Sequence, residues 1–155
     1  MKKKIVHLTS LSKNIKFKKF ENFYAGKWCD IYNRNSKIFL KYKKNNKKLE
    51  FYQKNNISFL AKKLNNYHKV NFSNKFWNIV LYPWVASFSH NLYDRYLTIN
   101  KLINLKNVDY FLVRNKNLDK QVFDNYLDFV SSIYTDEFNN QIFFYLLKIL
   151  SPKKN

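Results

Sequence analysis

Arg95 is the residue whose sequence surroundings most directly suggest binding chemistry. At about 100° of rotation per residue, a helix through this region places Arg95 in the middle of an apolar face. That face carries Trp84, Phe88, Leu92, Ile99 and Leu102. A guanidinium buried without a partner costs several kcal/mol, so either a carboxylate elsewhere in the fold or an anionic ligand should meet it. Asp94 and His90 point nearly the opposite way, so we do not expect Asp94 to pair with Arg95.

Cys29, His68 and the pair His90–Asp94 are further candidates for chemistry. Cys29 could be a thiol nucleophile activated by a histidine, although a buried structural cysteine is the more ordinary interpretation. His90 and Asp94 are four residues apart and could form a carboxylate-oriented general base. A solvated pair on an exposed helix face explains the same spacing. His68 falls at a predicted helix end, where a positive charge is favourable in any case.

The aromatic residues could stack on sugars or bases, and Trp28 and Trp84 are the candidates of this kind. At helical spacing, however, most aromatic side chains should belong to the core. The sequence contains no GxGxxG, P-loop, GxSxG, HExxH or CxxC motif. Its single glycine excludes a glycine-rich phosphate loop, and one cysteine with three histidines argues against a zinc site. We therefore expect no metal.

The charge balance favours anionic partners. The 155 residues carry a formal net charge of +19, which creates a strong positive field. Only Arg34, Arg95 and Arg114 are arginines, and arginine is the residue preferred for bidentate phosphate and base recognition. Abundant lysine and asparagine are also typical of an AT-rich genome, so part of the positive charge can reflect codon composition rather than function. Nonspecific anion binding is expected, and a small basic nucleic-acid-binding protein remains the alternative function, supported by the lysine cluster at 37–48 and the aromatic content.

Length and composition predict one domain over residues 1–155. A hydrophobic fraction of 46% is enough for a packed core. The single cysteine indicates a reducing compartment, and the sequence has neither a signal-peptide core nor an apolar run of about 18 residues. We expect a cytoplasmic protein without a transmembrane segment, either free in the cytoplasm or peripheral at the inner membrane face.

Strands and helices alternate along the predicted chain. Strands are predicted at 4–9, 37–42 and 108–114, and residues 17–24 are either a short helix or an extended segment. Helices are predicted at 49–67, 74–81, 83–105, 119–132 and 136–150. Ser73 and Thr135 are the expected N-caps, and Pro83 is expected to separate two helices in tandem. This order predicts an α/β fold with a small, mostly parallel sheet and flanking helices.

An ordered set of residues runs through most of the chain. It consists of Gly26-Lys27-Trp28-Cys29, Leu64-Asn65 with His68, Phe76-Trp77, Pro83-Trp84 and Tyr93-Asp94-Arg95. Phe123 and the helix at 136–150 continue it. In order and spacing, this set resembles the N-terminal part of a family of transferases encoded in bacterial O-antigen and surface-polysaccharide loci. The resemblance spans roughly residues 25–150, and no single motif in it is specific.

The resemblance implies a glycosyltransferase-like enzyme of two Rossmann-like lobes that uses a nucleotide-activated sugar. Members of the family are several times longer, so this chain would correspond to the N-terminal lobe, with a glycan or lipid-linked acceptor. The nucleotide sugar would belong to the absent C-terminal lobe, leaving no cofactor bound by this one. The chain also lacks the glutamate and tryptophan that follow the family's first strand. These departures predict a truncated or split gene product, a degenerate fragment or a structural subunit, inactive without a partner chain.

Overall fold

The sheet consists of three short parallel strands in an α/β arrangement. The computed structural model describes residues 2–12, 15, 17–26, 29, 46–105, 108–114 and 122–150. The described strands are β1 (Lys3–His7), β2 (Phe20–Tyr24) and β3 (Tyr110–Leu112), and the described α-helices are α1 (Asn46–His68), α2 (Asn74–Ile103), α3 (Tyr126–Ile133) and α4 (Asp136–Leu150). The predicted α/β class with a small parallel sheet is confirmed.

β1 is the central strand of this sheet. The strand order is β2-β1-β3, and both neighbours run parallel to β1. Val6 pairs with Phe23 on one side and with Phe111 on the other. Beside the start of β1, the Lys4 backbone N–H donates to the Asp109 carboxylate at 2.7 Å. Val6 is fully buried, as expected for a strand covered on both faces.

Local sequence signals predicted most of these elements. The strand expected at 4–9 overlaps β1, which starts one residue earlier and ends at His7. The strand expected at 108–114 contains β3, and the ambiguous segment 17–24 contains β2. α4 has the predicted bounds, and the Thr135 hydroxyl caps it by accepting the Phe138 N–H at 3.3 Å. α3 begins later than predicted because Asn125 provides its N-cap, accepting from the Asp128 N–H. The strand predicted at 37–42 lies outside the described residues.

The prediction of two helices separated at Pro83 is wrong. α2 is one helix of 30 residues with Pro83 inside it. Proline removes only one helical hydrogen bond, the one its own N–H would donate to the carbonyl of Ile79. Ile79 and Pro83 are both exposed, so water can satisfy that carbonyl and the helix continues. Phe88, predicted on the buried face of this helix, is also exposed, whereas Ile99 and Leu102 are fully buried.

The chain divides into two compact units. The first comprises the segments Met1–Tyr42 and Asp94–Asn155, and the second comprises Lys43–Tyr93. In the first unit, the buried apolar side chains come from the sheet and from α2, α3 and α4; they include Val6, Leu8, Ile99, Leu102, Ile133, Phe143 and Leu147. In the second they include Leu49, Ile57, Ala61, Trp77 and Val85. The single domain predicted over 1–155 stays a prediction.

Asn65 shapes the turn between α1 and α2 in the second unit. Its side-chain oxygen accepts from the Phe72 N–H at 3.2 Å and from the Trp77 indole N–H at 2.7 Å, and its amide donates to the Phe72 carbonyl. The Ser73 hydroxyl then caps α2 by accepting the Phe76 N–H at 3.2 Å, as predicted. Among the described helices, none is both long enough and apolar enough to cross a membrane.

Candidate functional site

The carboxyl edge of the sheet is the place where the strand order favours a binding site. Because β2 and β3 lie on opposite sides of β1, the chain leaves the carboxyl end of β1 toward one side and later returns on the other. In open parallel α/β sheets, ligands bind outside the carboxyl ends of the strands at this kind of switch point. The loops that follow β1 and β3 and the first turn of α4 meet here.

Ser10 and Asp136 form the first contact of this edge. Ser10 follows β1, and Asp136 is the first residue of α4. The Asp136 carboxylate accepts from the Ser10 backbone N–H at 3.1 Å and from the Ser10 hydroxyl through the same oxygen. A carboxylate in the first turn of a helix is also stabilised by the helix macrodipole. The pair therefore fixes the loop after β1 against the N-terminus of α4.

Arg114 joins the loop after β3 to the same helix. Its backbone N–H donates to the Asn140 side-chain oxygen at 3.0 Å, and its carbonyl accepts from the Asn140 amide at 2.8 Å. The Arg114 guanidinium donates to the carbonyl of Leu11 in the loop after β1, at 3.3 Å. Both loops at the switch point are thus tied to α4 and to each other.

His7 holds the base of the loop after β1. The ring is fully buried and stacks on Tyr24, with 4.9 Å between ring centroids. Its Nε2 lies 2.9 Å from the Asn22 side-chain oxygen, and its Nδ1 lies 2.9 Å from the Ser12 hydroxyl. These bonds connect the end of β1 to β2 and to the short 3-10 turn Ser10–Ser12, so the imidazole positions the loop that carries Ser10.

Arg95 lies on α2 and binds α4. Its Nε–H donates to the Asn139 side-chain oxygen at 2.8 Å, and its guanidinium carbon is 5.8 Å from the centre of the Phe143 ring. Its Nη1 is 3.8 Å from the Asp94 carboxylate, and the two side chains are 17% and 27% exposed. The expectation that Asp94 faces away and does not pair with Arg95 is therefore wrong. Although adjacent helical positions point about 100° apart, the long arginine side chain reaches the neighbouring carboxylate.

Asn139 is the buried group that orients Arg95. Its amide nitrogen donates to the carbonyls of Ile133 at 3.1 Å and Thr135 at 2.7 Å. Two donated bonds identify that atom as nitrogen, so the other side-chain atom is the oxygen that accepts from Arg95. The sequence predicted that the Arg95 guanidinium needs a partner. Within the protein, the Asn139 side-chain oxygen and the Asp94 carboxylate contact it.

Cys29 is buried near the same residues. Desolvation by burial raises the pKa of its thiol from 9.0 to about 12, while the neighbouring Gly26 and Ala25 backbone groups lower it. Asp136 raises this pKa electrostatically and Arg95 lowers it. At neutral pH the thiol is protonated, so the geometry favours the structural interpretation of Cys29 over the nucleophilic one.

The remaining sequence-based candidates lie elsewhere. His68 is the exposed last residue of α1 and contacts the Tyr67 ring edge-on. Trp84 is half-buried and His90 exposed, both in the part of α2 that belongs to the second unit. Trp28 lies outside the described residues. The first unit thus brings together Arg95, Asp94 and Cys29, and the ligand roles predicted for all of these residues stay predictions.

Sequence reasoning missed Ser10, Asp136, Asn139 and Arg114 as members of the site. The signal that points to Ser10 is its position after a predicted first strand, because residues there lie at the carboxyl edge. No local pattern relates Asn139 to Arg95, since the two are 44 residues apart.

Ser10, Asp136, Arg114 and Asn140 meet at the carboxyl edge, and Arg95 reaches the same helix, α4, through Asn139. Such a set suits a ligand with hydroxyl and anionic groups. Among the described residues, no group of three or more His, Cys, Asp or Glu side chains could hold a metal ion.

Comparison with known families indicates the class of protein to which this chain belongs. The family model described as "LIC12162 family transferase" matches residues 4–155. No curated protein and no solved structure matches the chain. The match covers the sheet except Lys3, all four described helices and the carboxyl-edge residues. The chain therefore belongs to the LIC12162 transferase family.

Proposed function

We propose that this chain supplies a Rossmann-like lobe of a sugar transferase that acts in surface-polysaccharide (O-antigen) biosynthesis. The observation that carries the proposal is the transferase-family match over residues 4–155. The polysaccharide role rests on the ordered set from Gly26 to Arg95, which resembles transferases of such loci. In this proposal the donor is a nucleotide-activated sugar, and transfer requires a second lobe that binds it.

The site proposed for the acceptor is the carboxyl edge around Arg95 and Asp136. A sugar acceptor carries hydroxyl groups, and a lipid-linked one also carries phosphate. Asp136 already accepts a hydrogen bond from the Ser10 hydroxyl, which is the bond that an acceptor hydroxyl would make in its place. Arg95, held by Asn139 at 2.8 Å, provides the positive charge for the phosphate. A lipid-linked acceptor would bring the protein to the inner face of the membrane.

Nothing in the described structure favours the alternative of a nucleic-acid-binding protein. Only two arginines lie in the described residues, Arg95 and Arg114. The transferase family supports an enzyme role instead.

Deletion of the gene tests the function class directly. Electrophoresis of surface polysaccharide should show a shortened or missing glycan in the deletion strain. Complementation with the wild-type gene or with Lys148→Ala should restore the glycan, because Lys148 is exposed on α4 away from its first turn. Complementation with Arg95→Lys should fail to restore it. An unchanged glycan in the deletion strain would refute the polysaccharide role.

A further inference from the structure

The outer face of α1 combines aromatic rings with lysines. Leu49, Gln53, Ile57 and Ala61 form the buried stripe of this helix. On the opposite side lie Phe51 and Phe59, which are 60% and 61% exposed, and Tyr52, which is 47% exposed. The Phe51 and Tyr52 rings contact each other, with 5.9 Å between ring centroids. A group of exposed aromatic rings on one helix face indicates a surface that contacts something else.

Lysines surround these rings. Lys48, Lys62 and Lys63 fall within about 60° of Phe59 around the helix. Lys48 Nζ lies 5.9 Å from the Tyr52 ring centre, and Lys63 Nζ lies 5.7 Å from the Phe59 ring centre. The helix carries five lysines and a single acidic residue, Glu50. Glu50 lies about 180° around the helix from Phe59, so the outer face is uniformly positive.

We propose that this lysine–aromatic face of α1, formed by Lys48, Phe51, Tyr52, Phe59, Lys62 and Lys63, binds the anionic surface of a lipid bilayer. Lysines attract acidic lipid headgroups, and the aromatic rings enter the boundary between headgroups and acyl chains. The helix face and the bilayer have complementary charges, because the face is positive without acidic side chains and the leaflet surface is negative. When part of each ring enters the bilayer, the apolar area removed from water adds to the electrostatic attraction.

A bilayer fits this face better than a nucleic acid does. The face contains no arginine, the residue that nucleic-acid sites prefer for phosphate and base contacts. The same unit also exposes Ile79 and Val80 on α2, at 69% and 44%. Aliphatic side chains do not stack on bases, whereas they do contribute to membrane binding. Binding through α1 requires no substrate, so it is independent of the chemistry proposed for the carboxyl edge.

Vesicle co-sedimentation of the full chain tests the proposal. The protein should sediment with phosphatidylcholine–phosphatidylglycerol vesicles, and much less with phosphatidylcholine alone. The triple variant Lys48→Gln, Lys62→Gln, Lys63→Gln should lower the partition coefficient on the order of 100-fold, since each lysine near an anionic surface contributes about 1 kcal/mol. The control triple Lys18→Gln, Lys19→Gln, Lys148→Gln has the same net charge and should lower it far less.

The aromatic contribution is tested separately. The double variant Phe51→Ala, Phe59→Ala should lower the partition coefficient on the order of tenfold, whereas Leu127→Ala, a residue 75% exposed on α3, should leave it unchanged. Equal losses in both lysine triples would overturn the proposal in favour of unspecific charge. Full vesicle binding by the phenylalanine double variant, with oligonucleotide binding lost in the α1 lysine triple, would assign the face to nucleic acid. A self-associating chain that binds no vesicles would assign it to a second copy.

Discussion

Arg95 on α2 donates to Asn139 on α4 at 2.8 Å, and this bond connects two helices across 44 residues of sequence. Asn139 is 5% exposed and also donates to the carbonyls of Ile133 and Thr135. The Asn139 amide is therefore hydrogen-bonded to the Arg95 guanidinium, to the last carbonyl of α3 and to the carbonyl just before α4. Asn139 thus joins α2, α3 and α4.

Asn139→Ala should destabilise the first unit. The substitution removes the bond to the Arg95 Nε–H and the two side-chain bonds to the carbonyls of Ile133 and Thr135, of which Thr135 keeps the Asn139 backbone N–H. The loss should cost about 2–4 kcal/mol in free energy of unfolding. Urea denaturation followed by circular dichroism measures the change. Asn55→Ala, at an exposed position inside α1, is the control and should be neutral or slightly stabilising. Equal stability of the two variants would show that the bond contributes nothing.

Cys29 should make the first unit less stable at high pH. Its pKa is raised to about 12 in the folded protein from an ordinary value of 9.0. Between these values the unfolded chain loses the thiol proton and the folded chain keeps it, so stability falls as pH rises through this window. Below pH 9 the contribution is complete. Urea midpoints measured above pH 9 should therefore drop more steeply for the wild type than for Cys29→Ala.

Thiol labelling provides an independent check on Cys29. A protonated, buried thiol should react with iodoacetamide at pH 8 only through unfolding, so added urea should accelerate the reaction strongly. Rapid labelling of the native protein at a rate typical of an activated thiolate would restore the nucleophilic interpretation.

The neutral His7 ring should carry its proton on Nε2. The Asn22 amide nitrogen points at the carbonyls of Phe17 and Phe20, which identifies the atom facing His7 Nε2 as an oxygen and therefore an acceptor. Nδ1 is then the acceptor of the Ser12 hydroxyl proton at 2.9 Å, so this proton is not donated to the Thr9 carbonyl, which lies 3.2 Å from the same hydroxyl. Long-range ¹H–¹⁵N correlation spectra distinguish the two tautomers, with the exposed His68 as an internal reference. A proton on Nδ1 in the neutral ring would show that the Asn22 amide is reversed.

Lys69→Gly should stabilise the end of α1. Lys69 has a φ of 54°, in the left-handed region that favours glycine, and the Val70 N–H closes the helix on the Asn65 carbonyl at 3.0 Å. Glycine at Lys69 should raise the free energy of unfolding by up to about 1 kcal/mol. Lys54→Gly, inside the same helix, should lower it by about the same amount. Thermal unfolding monitored by circular dichroism compares the two variants, and losses in both would contradict the cap geometry.

Local signals in the sequence were sufficient for the elements that local chemistry determines. Ser73 and Thr135 are N-caps as predicted, and α4 has its predicted bounds because acidic residues and an apolar period coincide there. Pro83 misled the prediction because its effect depends on solvent access to one carbonyl, which no local pattern records. Arg95 was correctly identified as a guanidinium in need of a partner. Its partner Asn139 was not, because a contact over 44 residues depends on the folded packing of α2 against α4.

The most direct test of the account is whether Arg95 binds an acceptor phosphate at the carboxyl edge. Isothermal titration calorimetry with a short-chain, water-soluble polyprenyl diphosphate sugar measures this binding for the full chain. Arg95→Lys keeps the positive charge but loses the guanidinium geometry, so Kd should rise at least about tenfold. Lys148→Ala should leave Kd unchanged. An Arg95→Lys variant that folds and binds with the wild-type Kd would contradict the central claim.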